Sequence, residues 1–161
     1  MIYQTKTKKL KTLRKILFFI FFFLSYPIRA DVKIIDGDTI RIHSEKIRLY
    51  GIDAPEKKQI CKDKKGKDYK CGEKAKDQLK KIIRNKKVNC NRKGKDRYRR
   101  SISICYADSE NINQMMVKSG WALAYRRYSK DYLPEEKIAR NKKIGLWSGI
   151  FQMPWIWRRL N

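Results

Sequence analysis

Three short runs follow one another with almost nothing between them: Val32-Lys33-Ile34-Ile35, Thr39-Ile40-Arg41-Ile42-His43 and Lys46-Ile47-Arg48-Leu49-Tyr50. Each alternates apolar and polar residues, which puts one face of a strand on a core and the other toward water. Asp36-Gly37-Asp38 and Ser44-Glu45 are the turn material between them, so this part of the chain can only be a three-stranded meander. Val88–Asn91 and Ser101–Tyr106 read as two more strands, separated by the very basic stretch 92–100.

Helical patterns lie between and after these strands. Over Glu73–Arg84 the residues Ala75, Leu79, Ile82 and Ile83 form one apolar stripe. Ile112–Ser119 carries Ile112, Met115 and Met116 on one face with Gly120 as a stop, and Leu133–Asn141 has Pro134, Glu135 and Glu136 in its first turn. The lysine-rich residues 57–72 show neither period and read as a mobile basic loop. The pattern reads as α+β, five strands with three helices, an order that suits a small closed antiparallel barrel of the OB type among several α+β architectures. The 131 residues from Asp31 to Asn161 suffice for one such domain and leave no room for a second.

Residues 1–30 have the order of a signal peptide: a basic stretch from Lys6 to Lys15, an apolar run from Ile16 to Leu24, then Pro27 and Ala30. The run falls short of the roughly 20 residues that span a hydrocarbon core, so export with cleavage after Ala30 is expected, an uncleaved N-terminal anchor being the other reading. Cys61, Cys71, Cys90 and Cys105 all follow this segment. An even number in an oxidising compartment predicts disulfides, with three connectivities open. Cys61–Cys71 and Cys90–Cys105 are favoured, one closing a short loop and one joining neighbouring strands; a zinc site is disfavoured by the lack of a C-x-x-C pair.

Lys and Arg total 41 against 16 Asp and Glu, a net charge of +25; seven of the basic residues and no acid precede Asp31, so the remainder carries +18. Polyanions are the expected partners. Charge alone does not separate an enzyme from a binding protein. Against this background, acids gathered at two turns of one meander need a reason. A hard divalent cation supplies one, since carboxylates with a backbone carbonyl and waters make part of its shell. AspGlyAsp alone is equally an ordinary turn. Phosphodiester hydrolysis also needs cationic groups on the phosphate and a base for water, for which Arg48, Arg100 and Glu56 are candidates. Arginine's planar fork can hold two phosphoryl oxygens at once.

The motifs Val32-Lys33-Ile34-Ile35-Asp36-Gly37-Asp38-Thr39-Ile40, Arg48-Leu49-Tyr50-Gly51-Ile52-Asp53-Ala54-Pro55-Glu56, Asp96-Arg97-Tyr98-Arg99-Arg100 and Gly145-Leu146-Trp147 resemble those of the staphylococcal nuclease family, in order and over about 32–147. The resemblance implies that Asp38, Asp53 and the Ala54 carbonyl bind Ca²⁺, with Asp36 supporting the turn. It implies Arg48 and Arg100 on the scissile phosphate and Glu56 as general base. Arg97 and Tyr98 would lie near the neighbouring phosphate, and Tyr125 and Tyr128 beside the nucleotide. It further implies cleavage of DNA and RNA with little sequence preference, leaving 3′-phosphates. Arg99 stands where the family commonly has glycine, and Ala54 replaces a frequent threonine. The Tyr69-to-Gly72 run with the cysteines resembles exported relatives. No protein partner is implied and a monomer is expected. Two other readings are a catalytically silent nucleic-acid-binding OB module and a cationic membrane-surface protein, the latter weakened by the lack of a basic amphipathic helix.

Overall fold

The computed structural model describes residues 31–161, so the expected signal peptide and the expected cleavage after Ala30 fall outside the described residues. Strands β1 (Val32–Ile34), β2 (Thr39–Ile42) and β3 (Glu45–Leu49) form the predicted meander, pairing antiparallel with Val32 opposite Ile42 and Thr39 opposite Arg48. His43 falls just past β2, in the turn, with φ of 52°. Strands β7 (Val88–Lys95) and β8 (Ser101–Ala107) complete a sheet of order β1-β2-β3-β8-β7, and the short β9 (Glu110–Asn111) adds to β8.

The five main strands are those expected, but the sheet is mixed: β3 and β8 run parallel, Arg48 beside Ile102. A parallel neighbour requires a long crossover. The crossover here contains the helix α1 (Cys71–Ile83), whose Ala75, Leu79, Ile82 and Ile83 are buried against the sheet. Among the described residues no ladder joins the edges β1 and β7, so by hydrogen bonding the barrel is open.

Residues 57–72 are ordered differently from expectation. Strands β5 (Ile60–Lys62) and β6 (Asp68–Lys70) pair as a hairpin, Cys61 opposite Tyr69. The Asp63 carboxylate accepts the N–H groups of Lys65 and Lys67, shaping the turn, and the Cys61–Cys71 disulfide ties the hairpin to α1. The Cys90–Cys105 disulfide joins β7 to β8, so both favoured bridges are present. Helices α2 (Ile112–Lys118) and α3 (Leu133–Asn141) lie where their patterns predict. A fourth helix, α4 (Pro154–Leu160), was not expected; it begins on Pro154, a residue pre-set for a helix's first turn. Among the described residues no helix is long and apolar enough to cross a membrane.

Candidate nuclease site

The two acidic turns meet because their strands are neighbours. The Asp38 carbonyl accepts the Leu49 N–H at 2.8 Å, binding the first turn to the end of β3. The second turn carries β4 (Ile52–Asp53), which pairs with β10 (Leu123–Ala124) and sets Asp53 opposite Leu123. A side chain at Gly37 would collide with Ala75 of α1 and with Ala54, the Cβ atoms standing 2.7 and 2.8 Å from where its own would be. Gly72 is held likewise: its Cβ would meet the Glu56 carbonyl oxygen. These two glycines let α1 lie directly on the acidic turns.

Asp38 and Asp53 are both buried, at 3% and 0% exposure. Asp38 Oδ2 accepts the Ala54 N–H at 3.0 Å, and its Oδ1 accepts the Thr39 hydroxyl at 2.9 Å. The Arg48 guanidinium spans the pair, with Nη1 2.8 Å from Asp38 Oδ1 and Nη2 2.7 Å from Asp53 Oδ1. Asp36 accepts the Asp38 N–H at 3.1 Å, the supporting role expected of it.

Crowding of acids in a buried place is costly, and the titration of the site reflects it. Burial, then the Asp38 charge, pushes Asp53 up to about 6, against the pull of Arg158 and Arg48. Burial and the same neighbour push Asp36 up to about 7. Arg48 moves upward too: burial works against its charge but is outweighed by Asp38 and Asp53. Among the described residues no three His, Cys, Asp or Glu side chains gather closely enough to enclose a metal by themselves. The available donors are two carboxylates and nearby carbonyls, all hard oxygens, and the acids still oppose one another's ionisation with guanidinium groups beside them. That donor set fits a hard divalent ion that keeps several waters.

Glu56 is joined to this group through Arg158 of α4, a residue that the sequence motifs do not reveal. Arg158 Nη1 lies 2.7 Å from Glu56 Oε1 and 3.0 Å from Asp53 Oδ1, and Nη2 lies 2.9 Å from Asp53 Oδ2. Gln59, fully buried, steadies the Glu56 turn by accepting the Glu56 N–H at 3.2 Å and donating to the Gln152 carbonyl at 2.7 Å. The only hint in the sequence is Met153-Pro154-Trp155-Ile156-Trp157-Arg158-Arg159, a proline-led aromatic and basic segment.

Arg100, Arg97 and Tyr98 form a separate group on the turn between β7 and β8. Arg100 Nε donates to Asp96 Oδ2 at 2.6 Å, and Asp96 Oδ1 accepts the N–H groups of Tyr98 and Arg100. Burial works to raise the Asp96 carboxyl, but the Arg100 hydrogen bonds and charge outweigh it and hold it below its ordinary range. The Arg97 and Arg100 guanidinium groups lie 4.8 and 5.5 Å from the Tyr98 ring centroid. Ser101, the residue after Arg100, pairs with Ile47 of β3, so Arg100 stands at the entry to β8 next to the strand that carries Arg48. Arg99, at φ of 63°, occupies the left-handed backbone that glycine adopts freely.

Tyr125 and Tyr128 stand together, ring centroids 4.9 Å apart, and are tied to the acidic turn by the Tyr125 N–H on the Gly51 carbonyl. Trp155 of α4 stacks on Tyr125 at 5.7 Å and 15°, so the terminal aromatic segment folds back on the domain.

Residues 46–149 match the family described as staphylococcal nuclease homologue. The chain is 39% identical over 160 residues to a protein of Escherichia coli O157:H7 named an uncharacterized endonuclease, covering 91% of this chain and 98% of that one. It is 34% identical over 173 residues to a micrococcal nuclease of Shigella flexneri, covering 93% and 94%. A Haemophilus influenzae protein named an uncharacterized endonuclease is 41% identical over 136 residues, 80% of this chain and 71% of that one. With the OB-type strand order and the paired acidic turns in place, the chain belongs to the staphylococcal nuclease family of phosphodiester-cleaving hydrolases.

Proposed function

We propose that this protein is an exported, Ca²⁺-dependent endonuclease that cleaves DNA and RNA with little sequence preference and leaves 3′-phosphate ends. The observation that carries the reading is the convergence of Asp38 and Asp53, buried and drawn from two separate turns, on one Arg48 guanidinium at 2.8 and 2.7 Å. The relatives named as endonucleases and as a micrococcal nuclease support the activity. The leader pattern of residues 1–30 and the two disulfides support export.

Asp38, Asp53 and the Ala54 carbonyl are the residues that would hold Ca²⁺. When bound, the ion supplies positive charge for a phosphoryl oxygen and a place for ordered water. Arg48, with its side chain 17% exposed, meets a phosphate brought to the acid pair from solvent. Arg100 approaches from the neighbouring strand and adds a second fork, so that charge building on the phosphoryl oxygens is met by two guanidinium groups. Glu56 accepts the proton of the attacking water. Arg97 and Tyr98 hold the next phosphate. Tyr125 and Tyr128 flank the nucleotide, where base stacking needs no particular sequence.

The test is plasmid DNA and RNA digestion by the purified chain with Ca²⁺, with and without chelator, beside Asp38→Ala and Arg100→Ala. Chelator and both substitutions are expected to abolish most turnover while circular dichroism stays unchanged. A gel shift without cleavage in Ca²⁺ would instead show a silent binding module.

A further inference from the structure

Arg158 grips both oxygens of Asp53, one of the carboxylates that would hold a metal ion. Asp53 Oδ1 already accepts from both Arg48 and Arg158, and Oδ2 accepts from Arg158 alone. The same guanidinium reaches Glu56 Oε1. Three of the roughly four lone-pair sites of Asp53 are thus taken, and a guanidinium and a divalent ion held on one carboxylate repel each other.

The helix that delivers Arg158 is lightly attached. The backbone of Lys62 is bridged to that of Ile150, and Gln59 holds the Gln152 carbonyl, which anchors the chain up to that point. Beyond it, α4 rests on buried Pro154, on Trp155, which stacks on Tyr125 and packs against the second core cluster, on half-buried Trp157 and on Arg158 itself; Ile156 and Leu160 are exposed. The Arg158 contacts are the polar part of that attachment, in a helix of seven residues.

We infer that Arg158 is a resident counter-ion that competes with the divalent cation for Asp53, so that metal binding and undocking of α4 are one coupled event. Arg158 thereby sets the metal affinity of the site and releases Glu56 only when the metal has taken its place. This rests on the metal reading of Asp38 and Asp53 given above. The coupling is reciprocal: whatever loosens α4 tightens metal binding by the same factor.

The experiment is calorimetric titration of Ca²⁺ into the full chain, into Arg158→Gln and into Arg158→Lys, with hydrogen exchange of residues 154–160 followed in the unchanged chain with and without Ca²⁺. Arg158→Gln is expected to bind Ca²⁺ about tenfold tighter or more, with Arg158→Lys between, because a point charge replaces the fork less well. In the unchanged chain, saturating Ca²⁺ is expected to speed exchange across α4. Equal or weaker Ca²⁺ binding by Arg158→Gln overturns the inference and leaves the metal reading standing. So does unchanged α4 exchange at saturation, a readout that needs no variant to fold. Failure of all three chains to take up Ca²⁺ removes the metal reading, and the competition with it.

Discussion

The acidic turns and the basic turn at 96–100 serve one proposed site but are built in opposite ways. Asp38 and Asp53 are buried and cross-linked through Thr39 of β2, Arg48 of β3, Ala54 just after β4 and Arg158 of α4. Arg100 depends on a single acid four residues away, within one turn. The first arrangement is over-determined by tertiary structure and intolerant of loss. The second is local, so its parts can be altered singly with the fold left intact. A metal position needs the former kind of support, whereas a side chain that reaches for a phosphate can work from the latter.

Substitution is the sharpest way to break this contrast. Asp53→Ala strands the Arg48 and Arg158 guanidinium groups together, and loss of one partner of a buried ion pair costs about 3–5 kcal/mol. Chemical denaturation of the variant should show a loss of that size together with loss of turnover. Arg100→Ala should lower kcat about 10²–10³-fold, the usual effect of removing one transition-state donor, with a stability change of less than about 1 kcal/mol. Equal destabilisation by the two variants would erase the distinction drawn here.

Asp96→Asn tests the local turn. Asp96 accepts three hydrogen bonds, and weakening them should cost about 1–3 kcal/mol at neutral pH. Its carboxyl is held below the ordinary range in the folded chain, so its stabilisation is present above the unfolded pKa and disappears as pH falls through the lowered folded value. Denaturation at a series of acid pH values should therefore show the difference from Asp96→Asn closing. Arg99→Gly is the smallest change and has the opposite sign. It relieves a left-handed backbone at φ of 63° and should be neutral or stabilising by about 1 kcal/mol in thermal denaturation.

Much of the fold was legible because local periodicity reported it. The meander, the strands read over 88–91 and 101–106, and the stripe Ala75-Leu79-Ile82-Ile83 all place apolar residues on the face that the core then covers, whereas the continuation of β7 through the basic residues 92–95, read as a separator, carries no such period. The residues 57–72 were misread for a corresponding reason. Their hairpin is stabilised by the Asp63 turn and a disulfide, and its lysines face water, so no apolar period marks it. The unexpected α4 is similar, since its aromatic residues are spaced by its contacts with Tyr125 and the second core cluster more than by an amphipathic stripe.

The order of residues by itself determined the family, the pair of acidic turns, the nearby arginines and the cysteines available for bridging, because each is a matter of residue type at short spacing. Only the tertiary structure decided that β3 and β8 run parallel, that Asp53 sits opposite Leu123, and that Arg158 lies 105 residues along the chain from the carboxylate it grips. Those relations depend on which distant surfaces bury one another. No local pattern encodes the free energy of a contact whose partners are brought together only when the whole core closes.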